Sequence, residues 1–170
     1  PHDSLDGGPT ENWELGTRDT GAYATMSDVV EYIEWLGSKL SKSGDQRTRF
    51  EAAGKAIHDH EQELTNAMIH GIGNLPGLAE MTDVRIIGGE DNPAREGLVS
   101  LYVDGIEARN VVARLNEEGI RTHLRKADHY SGNILDPLGI DSCVRVSMCH
   151  YNSIAEVAQF LGVMKTITSE

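Results

Sequence analysis

The sequence has no excess of basic residues, no long apolar run and only two cysteines, and each shortage argues against a class of protein. Its 170 residues include 27 acidic and 15 basic side chains, which gives a formal charge of −12. A chain this acidic is not attracted to nucleic acid or to anionic membranes. No apolar run approaches the roughly 20 residues of a membrane span, and no signal peptide is recognisable. We expect neither nucleic acid nor a membrane as a partner.

The two cysteines, Cys143 and Cys149, are too far apart to pair with each other. If residues 142 to 150 form a strand, six steps along it separate the two residues by roughly 20 Å, whereas a disulfide needs Cα atoms within about 7 Å. We expect two buried thiols in a reducing, cytoplasmic protein. The alternative is a metal or redox role.

What the sequence does contain is an ordinary globular composition, with 39% hydrophobic and 25% charged residues. This is enough to bury a core. The chain opens at Pro1 in a polar stretch, for which we expect either a processed start or a boundary inside a longer protein. Two histidines, His58 and His60, point about 200° apart on a predicted helix, so we expect a solvated polar face there and no metal site.

The first part of the sequence predicts two helices. Residues 21 to 40 carry apolar side chains three and four positions apart, with Gly37 as an early stop. Residues 46 to 70 form a longer helix with Asp45 as its N-cap, and a helix that long often connects two lobes. We therefore predict three segments: residues 1–45, a connecting helix at 46–74, and a C-terminal domain at 75–170.

The remaining sequence alternates strands with helices. We predict strands at 83–88, 97–105, 120–126 and 142–150, helices at 107–119 and 153–167, and a long loop at 127–141. This order indicates a small α+β domain with a mostly antiparallel sheet and two helices on one face.

One arginine stands in the middle of the last predicted strand. Alternation places Cys143 and Arg145 on one face and Val144 and Val146 on the other. A guanidinium on a largely buried strand must be matched, and its planar fork suits a carboxylate. Two interpretations stay open here: a site for a ligand carboxylate, or an internal ion pair with an acidic residue of the chain.

Two further stretches could bind a ligand. The predicted loop contains side chains that donate, accept or titrate (Asp128, His129, Tyr130 and Ser131), and it is either functional or a plain surface loop. Gly16 and Thr17 precede the first helix, where free amides and the helix dipole favour an anion. The alternative at that turn is simple capping by Thr17, Asp19 or Thr20.

Three of these stretches together resemble the class V aminotransferase family of pyridoxal-phosphate enzymes. They are "ELGTRDTGAYA", "GIRTHLRKADHYS" and "VRVSMCHYNSIAEVAQFLGVMKTI". The family includes NifS-like cysteine desulfurases, selenocysteine lyases and isopenicillin N epimerase. The resemblance covers essentially the whole chain and implies the C-terminal portion of such an enzyme. The implied fold is the small C-terminal domain of a fold-type I enzyme, preceded by long connecting helices.

The resemblance also implies roles for individual residues. Thr17, with Gly16, matches the segment that reaches the cofactor phosphate of the neighbouring subunit in a homodimer. Arg145 matches the arginine that grips the α-carboxylate of a small amino-acid substrate. His129 and Tyr130 lie on the family's substrate loop.

The sequence departs from the family in two places. Tyr130 stands where the desulfurases have a catalytic cysteine, so a lyase, epimerase or transaminase-like reaction is expected in preference to desulfurase chemistry. No lysine has the context of the residue that forms the Schiff base; those present are Lys39, Lys42, Lys55, Lys126 and Lys165. We therefore expect no catalytic residue in these 170 residues and no activity from them alone. The alternatives are a non-catalytic ligand-binding or dimerisation module, or one half of a split enzyme.

Overall fold

The computed structural model describes residues 19–169. Contacts divide the chain into two compact units, Pro1–Lys55 and Ala56–Glu170, and each is described by itself. The first unit contains helix α1, Thr20–Leu40, and the beginning of helix α2, Gln46–His70. Helix α2 continues without a break into the second unit. Both helices have the extent that their sequence predicts.

The helix ends in the first unit are set by short polar side chains. Asp19 accepts a hydrogen bond from the amide of Ala22 at 3.0 Å and so caps α1. Asp45 accepts from the amide of Thr48 at 2.8 Å, which confirms its predicted role as the cap of α2.

Gly37 does not end α1, and this prediction was wrong. The helix runs on to Leu40, and Gly37 is buried within it. A Cβ atom added at Gly37 would overlap the carbonyl oxygen of Arg49 on α2. The glycine is needed there for close approach of two helices, which single-helix patterns do not reveal.

The apolar stripe of α1 is exposed over its first half and half-buried at Ile33 and Leu36. Met26 is 63% and Val29 48% exposed, and Gly37 is the one buried residue of the helix. Helix α1 therefore contributes no side chain to a core within the described residues.

The second unit is built on a four-stranded sheet. Its strands are β1, Val84–Ile87; β2, Leu98–Val103; β3, His123–Lys126; and β4, Ser142–Ser147. They lie in the order β1-β2-β4-β3, and every neighbouring pair is antiparallel. Helix α3, Ala108–Glu117, connects β2 to β3, and helix α5, Ile154–Thr168, follows β4. The predicted α+β class and the antiparallel sheet are confirmed.

One face of the sheet carries the hydrophobic core. Val99, Leu101 and Val144 are fully buried there, together with Leu115 of α3 and Leu161 of α5. Leu64 and Met68, from the end of α2, join the same cluster, so three helices cover this face instead of the predicted two. Alternation along the strands turns the intervening residues the other way. This opposite side of the sheet, with Arg85, Ser100, His123, Arg125, Cys143 and Arg145, is called the second face below.

The connection predicted as a loop at 127–141 contains helical turns. Helix α4 covers Gly132–Leu135 and a 3₁₀ turn covers Asp136–Leu138. Leu135 is 2% exposed and anchors the segment. The helix has only four residues, which is too short for an apolar period to predict it.

The two cysteines differ in burial. Cys143 is 3% exposed within β4, whereas Cys149 lies beyond the end of the strand and is half-buried. Both are free thiols. None of the helices in the described part of the chain has the length and apolar content needed to cross a membrane.

Candidate functional site

Arg145 lies at the centre of the second face. It is paired in register with Ser100 of β2 on one side and with His123 of β3 on the other. Its side chain is half-buried, and its Nε is buried without a hydrogen-bond partner. Among residues 19–169 no carboxylate forms an ion pair with it. The internal ion pair considered from the sequence is therefore not seen in this part of the chain.

An unmatched guanidinium in this position is costly to the fold. Burial removes water from its Nε, and one unsatisfied buried donor costs about 1–3 kcal/mol. The chain does not lack carboxylates, since it has 27 of them. A bound carboxylate would accept two parallel hydrogen bonds from the planar fork and remove this cost.

The thiol beside Arg145 is not a reactive one. Cys143 is buried on the second face, opposite Arg125 in the β3–β4 register. Burial raises the pKa of the Cys143 thiol, and the positive charges of Arg125 and Arg145 oppose this rise without reversing it. A protonated, buried thiol is a poor nucleophile.

The predicted substrate loop is fixed at its base by two sets of hydrogen bonds. The carboxylate of Asp128 accepts from the amides of Tyr130 and Ser131, at 3.0 and 3.1 Å. These two bonds lower the pKa of Asp128. Arg125 donates from Nε and Nη2 to the hydroxyl oxygen of Ser131, at 3.2 and 2.7 Å. The turn is therefore tied directly to strand β3.

His129 and Tyr130 project from this turn. Their ring centroids are 3.9 Å apart, and the rings are tilted by 41°. Both side chains are exposed, Tyr130 by 75%. Within the residues that the structure describes, no hydrogen bond or ring contact joins either of them to Arg145. Their predicted place beside a substrate stays a prediction.

Gly16 and Thr17 lie outside the described residues. Their predicted contact with a cofactor phosphate therefore stays a prediction. The capping alternative at this turn is realised by Asp19, which holds the amide of Ala22.

His58 and His60 have separate partners. Nδ1 of His58 lies 3.1 Å from a carboxylate oxygen of Glu96, and Nε2 of His60 lies 2.8 Å from the backbone carbonyl of Asn152. His60 is half-buried, so the expected solvated face holds for His58 alone. The described residues contain no group of His, Cys, Asp and Glu arranged to hold a metal ion.

Sequence reasoning missed two arginines. Arg95 is 8% exposed, and its guanidinium donates to the carbonyls of Ile87, Gly89 and Leu98 at 2.6–3.3 Å. Burial lowers the pKa of Arg95. Arg125 faces the candidate site, and its alternation with Leu124 along β3 was the one signal that could have indicated this.

The family of the chain follows from its sequence match. Residues 46–160 match the model of the aminotransferase class-V family. This chain belongs to the class V aminotransferase family.

Its relatives include cysteine desulfurases. It is 28% identical over 164 residues to probable cysteine desulfurase 1 of Mycobacterium leprae, covering 96% of this chain and 23% of that protein. It is 26% identical over 159 residues to a probable cysteine desulfurase of Pyrococcus abyssi, covering 94% of this chain and 33% of that protein. The apo structure of a cysteine desulfurase from Thermococcus onnurineus NA1 superposes with a TM-score of 0.72 at 28% identity, over 96% of this chain and 34% of that one. The chain thus spans about a quarter to a third of the length of these relatives.

Proposed function

We propose that this chain corresponds to the C-terminal portion of a pyridoxal-phosphate enzyme that acts on a small amino acid, and that Arg145 binds the α-carboxylate of the substrate. The observation that carries the proposal is the unmatched guanidinium at the centre of the second face. Family membership supplies the reaction class, because pyridoxal phosphate acts as an electron sink for a substrate carbanion when it is bound.

The domain assignment is part of the proposal. Residues 1–45 would end the large cofactor domain, residues 46–74 would form the connecting helix, and residues 75–170 would form the small domain. The continuous helix α2 and the antiparallel sheet that follows it support a connecting helix ahead of a small domain, and the compact unit that contains the sheet begins inside this helix, at Ala56.

The residues of this chain fit one end of such a site. Arg145 supplies the donors for a carboxylate, and the turn at Asp128 to Ser131 holds His129 and Tyr130 in a fixed arrangement. Gly16 and Thr17 would hold the cofactor phosphate of the neighbouring subunit in a homodimer. The Schiff base would come from a lysine outside these 170 residues.

The reaction branch that we propose is a lyase, epimerase or transaminase-like one in preference to persulfide formation. Tyr130 occupies the expected position of the desulfurase cysteine. Neither thiol of the chain lies on that turn, and the pKa of Cys143 is raised by burial. Two free thiols also suit the reducing cytoplasm that we propose as the location.

The experiment is substitution of Arg145 by alanine in the enzyme that contains this chain. We expect KM for the amino-acid substrate to rise about 30-fold or more, since truncating a hydrogen-bonded charge pair costs roughly 2–5 kcal/mol. The matched control is Arg85→Ala, because Arg85 lies on the same sheet and pairs with Asp104 at 2.7 Å. An unchanged KM in Arg145→Ala would contradict the proposed role.

A further inference from the structure

Two arginines of the second face are diagonal neighbours on adjacent strands. Arg145 of β4 lies opposite His123 of β3, and Arg125 lies two positions further along β3, opposite Cys143. Diagonal positions in an antiparallel pair are roughly 7–8 Å apart. Two arginine side chains are long enough at this separation to reach a common small ligand.

Neither arginine has a carboxylate as an ion-pair partner among the described residues. Arg145 has no ion pair there. Arg125 donates hydrogen bonds from Nε and Nη2 to a neutral acceptor, the hydroxyl of Ser131. The Asp128 carboxylate attracts Arg125 from a longer distance, but it is already bound to two backbone amides. The Nη1 group of Arg125 is left with no hydrogen bond in the described part of the chain.

The third arginine on this face shows that such pairing is available. Arg85 of β1 forms an ion pair with Asp104 at 2.7 Å. The chain carries 27 acidic side chains and a net charge of −12. Two adjacent guanidiniums without a carboxylate partner are therefore not explained by a shortage of acids.

We propose that the second face binds an amino acid with two carboxylates, in which Arg145 takes the α-carboxylate and Arg125 takes the carboxylate of the side chain. The inference rests on the proposed function, since it uses the same site and the same role for Arg145. It adds the substrate class, an acidic amino acid, and it assigns specificity to Arg125.

The test compares one carboxylate with two, using the 170-residue chain and two simple probes. Propionate and succinate are titrated at low ionic strength near pH 8, and binding is followed by NMR. We expect succinate to bind about fivefold more tightly than propionate, the gain that one partly exposed ion pair can supply. The net charge of −12 repels a dianion more than a monoanion, so it lowers the affinity for succinate relative to that for propionate. A preference for succinate would therefore not come from the net charge.

The variants separate the two arginines. Arg125→Gln is expected to remove the preference for succinate and to leave propionate binding unchanged, whereas Arg145→Gln weakens both. Arg85→Gln, the matched control, leaves both unchanged. Ser131→Ala removes the hydrogen bonds of Arg125 but keeps its charge, so the preference should persist.

Each outcome bears on a different claim. If the unsubstituted chain does not prefer succinate to propionate, the inference is overturned and the proposed function stands. The same conclusion follows if Arg125→Gln keeps the preference for succinate. Propionate binding that is unaffected by Arg145→Gln overturns the proposed function together with the inference. If Arg125→Gln does not fold, the side-chain nitrogen resonances of Arg125 in the unsubstituted chain decide. They should shift with succinate and not with propionate, and an absence of shift overturns the inference.

Discussion

At the scale of single residues, the partners of an arginine distinguish its role. Arg95 is buried and holds three backbone carbonyls, so it fixes the connection between β1 and β2. Arg85 pairs with Asp104 at the edge of the sheet. The Nε atoms of Arg95 and Arg145 are both buried without a partner, but Arg145 also lacks any acceptor for its terminal nitrogens in the described structure. The first two stabilise the fold, whereas the third is kept at a cost, which is typical of a binding residue.

This difference predicts opposite effects of one substitution. Arg145→Met keeps the apolar stem and removes the unmatched charge, so the free energy of unfolding should rise by about 0.5–1 kcal/mol. Arg95→Met leaves three carbonyls without their donor, so it should lower that free energy by about 1–3 kcal/mol. Urea unfolding of the two variants measures both. A loss of stability in Arg145→Met equal to that in Arg95→Met would show that Arg145 has a structural partner.

At the scale of elements, Gly37 and Gly54 show that the same residue type serves different purposes in two helices. Gly37 is buried in α1 against the backbone of α2 at Arg49. Gly54 lies inside α2, and a Cβ added there would meet no atom within 4 Å. The first glycine is required by packing, whereas the second only weakens its helix.

Alanine substitution at the two glycines should therefore have opposite effects. Gly54→Ala should stabilise α2 by about 0.5–1 kcal/mol through its higher helix propensity. Gly37→Ala should destabilise the first unit, because its Cβ overlaps the Arg49 carbonyl. Thermal and urea unfolding followed by circular dichroism measure both effects. Equal stabilisation by the two substitutions would mean that α1 and α2 do not approach each other at Gly37.

At the scale of the whole molecule, burial is concentrated in one unit. Strands β2 and β4 contribute Val99, Leu101 and Val144, which are fully buried. Helix α1 buries only Gly37. Regions with few buried apolar side chains open at lower free energy than core strands do.

Hydrogen exchange should reflect this distribution. Backbone amides of α1 are expected to exchange about a hundredfold faster than those of β2 and β4, a difference of roughly 2.7 kcal/mol in opening free energy. Mass spectrometry of peptides from Thr20–Leu40 and from the two strands measures it. Repeating the measurement at tenfold lower protein concentration is the control for association through α1. If α1 were as well protected as β2 and β4 at both concentrations, the expectation would be contradicted.

The sequence by itself determined the four longer helices, the four strands and the class of fold, but not the short helical turns between β3 and β4. Helical periodicity marked α1 and α2, alternation placed Val144 and Val146 towards the core, and Asp45 marked a helix start. These features are local, since they depend on a side-chain period or on a cap a few residues away. The resemblance in three stretches then indicated the class V family, and the match over residues 46–160 confirmed it.

Only the tertiary structure decided which residues meet. The strand order β1-β2-β4-β3 and the burial of Gly37 against Arg49 involve residues distant in sequence. The same holds for the candidate site. The alternation of residues along β4 predicted the face on which Arg145 lies. Whether Arg145 forms an ion pair depends on every carboxylate that the fold brings near it. The sheet brings Arg125 to its side instead, and no local pattern encodes that proximity.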